Sequence, residues 1–299
     1  MSFKKLLPFI TAVLFSWSGF AQDFKKQFIA LNAAKDTAGQ IALLKDWEKK
    51  APDDPELYVS YYSYYVWKSK LEYIGLQKKQ KGENSLVVKD STGKTAAYLN
   101  DVVQYDPKYL KTGFTYIDKA IKKFPDRLDM RFGKIYMLGE TKDYKTFTEE
   151  IIKTIDYSAK NKNAWLWRDN EPKKDGKKFL LEGIQNYVVQ LYSTNDDGLL
   201  DNMKQIAERV LKYYPDHVES LSNVAIVYLV RKEYDNALKP LLKAETLAPA
   251  DFIVLGNIAQ AYKEKGDKPN AIKYYELTLK YGDADAKKMA QEQLDVLKK

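Results

Sequence analysis

The sequence predicts an all-α protein, a right-handed solenoid of stacked helix–turn–helix pairs closed by a C-terminal capping helix. The first observation behind this prediction is a 34-residue repeat near the C-terminus. Matched prolines, tyrosines and alanines recur at that spacing: Pro215 and Pro249, Tyr228 and Tyr262, Ala237 and Ala271. The second observation is that the segments upstream show helical apolar spacing broken by proline and Asn-Asp-Gly turns. A fixed period of this length is typical of helix-pair repeats, which bury their apolar faces against one another.

The clearest repeats, residues 216–283, resemble the tetratricopeptide repeat family. The first carries the family's apolar, small, aromatic and proline positions at Leu221, Val224, Ala225, Tyr228, Ala237, Leu241, Ala244 and Pro249. The second carries them at Leu255, Ile258, Ala259, Tyr262, Gly266, Ala271 and Tyr275. It departs from the family at Asp283, where proline is expected, and at Thr278, where alanine is expected. The resemblance implies a binding scaffold, not a catalyst.

Residues 1–21 predict an export signal. Lys4 and Lys5 precede a short apolar run, and Ala21 ends a stretch of small residues suited to cleavage. An uncleaved N-terminal anchor is the alternative. No cysteine follows, which excludes a bacterial lipoprotein anchor, and no later stretch is apolar enough to predict a membrane span in the mature chain. We therefore expect a periplasmic or secreted protein.

Composition narrows the chemistry further. The 299 residues contain no cysteine and one histidine, so disulfides, thiolate nucleophiles and His/Cys metal sites are not expected. The net charge of +8 is spread along the chain as single lysines and pairs among acidic residues. Nucleic-acid binding would need a clustered basic stripe, so solvated helix faces are the favoured interpretation and weak attraction to acidic surfaces is the alternative. No cofactor is predicted.

The solenoid is predicted to occupy residues 22–299. Its first half begins with two short helices, at about 23–32 and 38–50, joined by a turn in which Asp36-Thr37 supplies the cap. A long helix is then predicted from Leu57 to about Lys79, because apolar residues lie on two of its faces. Residues 81–100 break the helical pattern and predict a hairpin or loop insertion. A helix follows at about 107–124.

The second half of the chain continues the pairs. Helices are predicted at 128–138 and 144–157, then, after a polar linker, at 177–192 and 199–214. The repeats at 216–283 supply the fifth and sixth pairs, with Pro240 expected to kink a helix or remove one hydrogen bond. Residues 284–299 predict the capping helix, since their apolar residues fall on one side.

The family resemblance also implies which residues face a partner. Tetratricopeptide arrays bind through the first helix of each pair, and the corresponding positions here include Glu219, Ser222, Ile226, Gln260 and Lys263. The Lys and Asn clamp that some members use for a C-terminal carboxylate is absent from these positions. Asn223 and Asn257 match an asparagine common in the family; they either hydrogen-bond an extended peptide or simply follow the repeat pattern, and we favour the second.

Three further features of the sequence, a lone histidine, a glycine-containing turn and a pair of tryptophans, have simple structural interpretations. His217 lies at a helix start, which favours a structural role over catalysis. Gly93-Lys94-Thr95 lacks the first glycine of a phosphate-binding loop, so a hairpin turn explains it. Trp165 and Trp167, in the polar linker, are either ligand contacts or a seal over the core, and the seal is favoured. We predict a non-catalytic scaffold that presents a concave groove to a protein or peptide in the cell envelope; the alternative is a glycan or small-ligand binder that uses an aromatic patch.

Overall fold

The computed structural model describes residues 14–80 and 85–299, with side chains from residue 23 onward. The predicted export signal therefore lies largely outside the described residues. Contacts divide the chain into two compact units. Unit 1 contains the described residues up to Thr141 together with Leu166–Pro172, and unit 2 contains Lys142–Trp165 and Lys173–Lys299. Along the described chain, no helix is both long enough and apolar enough to cross a membrane.

Unit 1 starts with three helices that share one core. Their bounds are α1 Leu14–Ala33, α2 Thr37–Lys50 and α3 Pro55–Ser69. Asp36 caps α2 through the backbone N–H of Gly39, as the sequence predicts. Phe24 of α1 stacks on Trp47 of α2 at 5.4 Å between ring centroids, and both are buried with Leu57 of α3. The N-terminal helices are thus held by packing of large apolar rings.

The predicted long helix from Leu57 to Lys79 is wrong. Helix α3 ends at Ser69, and the chain continues as strand β1 Lys70–Gln77, followed by β2 Leu86–Lys89 and β3 Thr95–Tyr105. The three strands form an antiparallel sheet in the order β1–β3–β2. Lys70 already has an extended backbone, and β3 supplies a full ladder of partners along β1. Tertiary pairing therefore overrides the helical spacing of Leu71 and Ile74.

The turn between β2 and β3 explains the glycine that resembles a phosphate-binding loop. Gly93 has a φ of 81°, which a non-glycine residue rarely adopts. The Asp90 carboxylate accepts hydrogen bonds from the backbone N–H groups of Thr92 and Lys94. This segment is a hairpin turn.

The rest of unit 1 consists of α4 Pro107–Lys123, α5 Leu128–Glu140 and a short hairpin of β4 Leu166–Trp167 and β5 Glu171–Pro172. A buried ion cluster joins these elements to α3. Arg127 has a side chain only 1% exposed, and its guanidinium forms two hydrogen bonds of 2.8 Å with the Asp129 carboxylate. It also contacts Glu56 of α3 at 2.7 Å and donates a hydrogen bond to the Asn170 side chain. One buried cation thus fixes three separate parts of unit 1.

Unit 2 is helical along its whole length apart from short turns. Its helices are α6 Tyr144–Lys160, α7 Gly176–Tyr192, α8 Leu200–Tyr213, α9 Val218–Val230, α10 Tyr234–Leu247, α11 Phe252–Glu264, α12 Lys268–Tyr281 and α13 Ala284–Leu297. The helices pack as hairpins of α7 with α8, α9 with α10 and α11 with α12, while α6 packs on α8. The first helices of neighbouring pairs also touch: α7 contacts α9, and α9 contacts α11. This side-by-side arrangement of first helices is the organisation expected of a repeat stack.

The two C-terminal pairs match in structure as they do in sequence. Helices α9 and α11 begin 34 residues apart, and so do α10 and α12. The alanines that the repeat aligns, Ala225 with Ala259 and Ala237 with Ala271, are all fully buried. Small residues at these places let helices approach closely, and the predicted helical-repeat fold is confirmed.

Two details complete unit 2. Helix α10 runs through Pro240 as one element, so the proline removes one hydrogen-bond donor without ending the helix. Ala290 and Leu294 of α13 are buried in the same core as α11 and α12, which confirms the predicted capping helix. Most of its exposed residues are polar, as a terminal repeat surface requires, with Met289 and Val296 as the exposed large apolar exceptions.

Candidate functional site

A groove runs across the first helices of three successive pairs in unit 2. We define it by two adjoining cavities that share Gln185 of α7 and Glu219 of α9. One cavity is lined largely by apolar side chains and the other largely by polar ones. The groove therefore offers an apolar end and a polar end on one continuous surface.

The apolar end has a cavity volume of about 230 Å³. Val189 and Tyr192 of α7, Ile226 of α9 and Ile253 of α11 line it, above the buried Val188. Ile253 is 58% exposed, Tyr192 51% and Val189 49%. Large apolar side chains grouped around a cavity at this exposure are typical of a surface that receives a partner's apolar side chain.

The polar end has a cavity volume of about 480 Å³. Charges of both signs line it, from Asp175, Lys177, Lys178, Glu182 and Glu219. A mixed set of charges suits a polar peptide segment better than a single anion or cation.

His217 lies at this end and caps helix α9. The backbone N–H of Ser220 donates to His217 Nδ1, and the Ser220 hydroxyl lies 2.8 Å from the same nitrogen. The other ring nitrogen, Nε2, is 3.2 Å from a Glu219 carboxylate oxygen. Burial lowers the pKa of His217, outweighing the opposing effect of Glu219. A neutral ring with Nδ1 as acceptor is the form that caps the helix.

The residue types of a hydrolase triad are present in Ser220, His217 and Glu219, but the serine is not exposed as a nucleophile is. Ser220 is 3% exposed, so its hydroxyl does not face the groove as a nucleophile would. The three residues lie within one helical turn and serve as the start of α9. Among the described residues, no cluster of three or more His, Asp or Glu side chains could hold a metal ion.

The two predicted asparagines behave differently. Asn223 is 5% exposed and pairs with Gln185, donating its amide to Gln185 Oε1 at 2.7 Å. It thus joins α9 to α7 beneath the groove. Asn257, one repeat later and one turn beyond Ile253, has a buried Nδ2 with no hydrogen-bond partner among the described residues. A buried donor of this kind is uncommon and is satisfied when a carbonyl or water reaches it.

The structure brings together four of the predicted groove residues: Glu219, Ser222, Asn223 and Ile226 all line its apolar end. Gln260 and Lys263 line neither cavity. Gln260 accepts a hydrogen bond from the Tyr275 hydroxyl, and Lys263 donates to Gln293 of the capping helix. These two side chains tie the last repeat together.

The two linker tryptophans are placed separately. Trp165, in unit 2, is 1% exposed and packs near Tyr157, so it presents no surface to a ligand. Trp167, in unit 1, is half-buried and lies edge-on to Phe132. Trp165 thus covers core, and the aromatic patch expected for a glycan binder does not include it.

Sequence reasoning missed the contribution of α7. Gln185, Val188, Val189 and Tyr192 form one side of the groove, yet this helix departs most from the repeat pattern. The signal that could have found them is their spacing, since positions 185, 188, 189 and 192 fall on one helical face.

Comparison with known proteins adds structural neighbours only. No family model matches the chain, and no curated protein matches it. Among solved structures it is similar to the P58(IPK) TPR domain, with 13% identity over 93% of this chain and a TM-score of 0.33. It is also similar to yeast Tom70, with 13% identity over 89% of this chain and a TM-score of 0.34. The chain covers 66% and 60% of those chains, less than two thirds of their length.

The class of the protein follows from its own residues and geometry. The two C-terminal helix pairs are 34 residues apart, with buried alanines at matched positions, and the first helices α7, α9 and α11 lie side by side. The protein has a helical-repeat fold of the tetratricopeptide type.

Proposed function

We propose that the protein is a non-catalytic interaction scaffold whose groove binds a short extended segment of a protein partner. The observation that carries this proposal is the apolar end, where Val189, Tyr192, Ile226 and Ile253 from three helices surround one cavity. An aliphatic or aromatic side chain of the partner enters this cavity and supplies most of the affinity, as buried anchors do in other interfaces.

The dimensions of the groove fit a peptide of a few residues. Packed helices lie about 8–10 Å apart, so three adjacent first helices span roughly 16–20 Å. An extended chain advances about 3.3 Å per residue, so roughly five or six residues cross the groove. Its polar backbone and flanking charges meet the polar end, where Lys178 and Glu182 are exposed.

Asn257 contributes a directional contact in this proposal. Its unsatisfied Nδ2 belongs to a residue one helical turn beyond Ile253, which lines the apolar end. A backbone carbonyl of the bound segment accepts its hydrogen bond and removes the cost of a buried unpaired donor. For Asn257 the proposal thus takes the alternative interpretation, hydrogen bonding to an extended peptide, rather than the repeat-pattern role favoured from sequence.

The site of action is part of the proposal. The predicted export signal at 1–21 directs the protein to the periplasm or the exterior, so the partner is sought among envelope proteins and exported peptides.

The test is a selection of random peptides displayed on phage against the purified protein. We expect enriched peptides to share one aliphatic or aromatic residue, and the Ile226→Lys variant to lose their binding in fluorescence anisotropy. Leu242→Lys is the matched control, because Leu242 is an exposed apolar residue on the second helix of the same pair. Selected peptides that bind Ile226→Lys as well as the unaltered protein would contradict the proposal.

A further inference from the structure

The sheet inserted in unit 1 has an open edge at strand β1. Because β3 is central in the order β1–β3–β2, β1 pairs on one side only within the part of the chain that the structure describes. None of its eight residues is buried, and six are exposed. A row of backbone N–H and C=O groups along such an edge is a template for another strand.

One face of the sheet, here called the apolar face, carries exposed aliphatic side chains together with the exposed Asp101 opposite Ile74. The register places Leu86, Leu99 and Leu76 in one row across the three strands. Ile74, two residues from Leu76 on the same face, is 69% exposed, and Leu76 and Leu86 are 66% and 65% exposed. Natural edge strands are protected by central charges, prolines or bulges, and Tyr73–Leu76 at the middle of β1 have none of these.

The sequence of β1 is complementary to itself in one antiparallel register. A two-fold axis through Gly75 places Ile74 opposite Leu76 and Glu72 opposite Lys78 of the second copy. Residues two apart lie on the same face of a strand, so these pairs form on the apolar face beside Leu99. Each aliphatic pair and each opposite-charge pair then occurs twice across the axis.

Neighbouring registers lack this match. An axis through Ile74 places Lys70 opposite Lys78, and one through Glu72 places two glutamates opposite each other. Like charges directly opposite destabilise a strand pair. An axis through Tyr73 sets Glu72 against Ile74, a charge against an aliphatic side chain. The axis through Gly75 is therefore favoured by both charge and apolar contact.

We propose that β1 of one copy pairs antiparallel with β1 of a second copy about Gly75, joining two three-stranded sheets into one of six strands. The dimer covers the open edge and extends the aliphatic row from Leu86 and Leu99 through Leu76 to Ile74 of the second copy. It is formed by unit 1, whereas the peptide groove belongs to unit 2, and it does not depend on the proposed function.

The first test is sedimentation equilibrium of the full chain from about 1 µM to about 200 µM, where mass action drives a weak dimer together. We expect a monomer–dimer equilibrium that Leu76→Lys shifts at least about tenfold toward monomer, since a charge then faces Ile74. Val296→Lys is the control, because Val296 is 64% exposed on α13. A monomer throughout would overturn the proposal and leave the edge open to a strand of another protein. A dimer that Leu76→Lys leaves intact would also overturn it.

The second test fixes the register and exploits the absence of native cysteine. We expect a mixture of the Ile74→Cys and Leu76→Cys proteins to form disulfide-linked dimers under mild oxidation, because directly opposed residues have Cα atoms within bonding range. Each variant alone should link far less, since identical positions lie diagonally. Glu72→Lys should weaken the dimer, and Glu72→Lys with Lys78→Glu should restore it. Equal linking in all three samples, or no restoration by the charge swap, would contradict this register.

Discussion

Replacing Arg127 by methionine tests the buried ion cluster of unit 1. The substitution keeps an unbranched chain but leaves Glu56 with only Lys25, at 3.3 Å, and the Asp129 carboxylate without its cation. The Glu56 and Asp129 side chains are only 11% and 9% exposed, so water replaces little of what is lost. Removing one partner of a buried ion pair typically costs about 3–5 kcal/mol. Since domains are stable by about 5–15 kcal/mol, unit 1 should lose a large share of its stability.

The assay is urea unfolding followed by circular dichroism, with Arg168→Met as the matched control. Arg168 is exposed, and surface substitutions usually change stability by about 0.5 kcal/mol or less. Adding Glu56→Gln and Asp129→Asn to Arg127→Met should recover most of the loss, because the stranded charges are then removed. If Arg127→Met unfolds at the same urea concentration as Arg168→Met, the cluster does not stabilise unit 1 as argued.

Three further predictions concern unit 2. Ala237→Phe should destabilise the protein by about 1–3 kcal/mol through overpacking, because Ala237 is fully buried. Thermal melts followed by circular dichroism measure this, and no loss of stability would mean that the repeat register is wrong. Burial lowers the pKa of His217 in the folded protein. The stability that the neutral ring contributes is therefore complete above about pH 6.5, the ordinary pKa of histidine, and it falls at lower pH because the unfolded chain takes up a proton first. His217→Asn, which also caps a helix, should remove this acid-dependent loss in urea titrations at pH 7.5 and 5; an unchanged pH dependence would contradict it. Asn257→Leu should leave the stability of the protein equal or higher but weaken the binding of a selected peptide severalfold, as measured by fluorescence anisotropy. An unaltered affinity would rule out a contact between Asn257 and the peptide.

The sequence was most informative where local and long-range signals agree. Proline, tyrosine and alanine at a 34-residue spacing predicted α9 to α12 closely, since each residue meets the same neighbours in every repeat. His217 at a helix start was likewise predicted from its turn position. A repeat is easier to predict from sequence because the same residue types occupy the same buried positions twice.

Elsewhere the pattern was ambiguous. Leu71 and Ile74 have helical spacing, yet they belong to a strand, because the partner that decides between the two, β3, lies about 30 residues further on. The α7 side of the groove was missed for a related reason. Val189 and Tyr192 line the same cavity as residues of α9 and α11, but α7 does not share the 34-residue spacing of the clear repeats. In both places, the β1 strand and the α7 side of the groove, the structure depends on pairing or packing between segments that are far apart in the sequence.

Site-specific photo-crosslinking in living cells tests the peptide groove most directly. A photoreactive amino acid at Ile253, in the apolar end, is compared with one at Lys239, exposed on the second helix of a pair. We predict one discrete protein adduct at Ile253, abolished by adding Ile226→Lys, and none at Lys239. The same adducts at both positions, or an Ile253 adduct that survives Ile226→Lys, would contradict a binding groove across α7, α9 and α11.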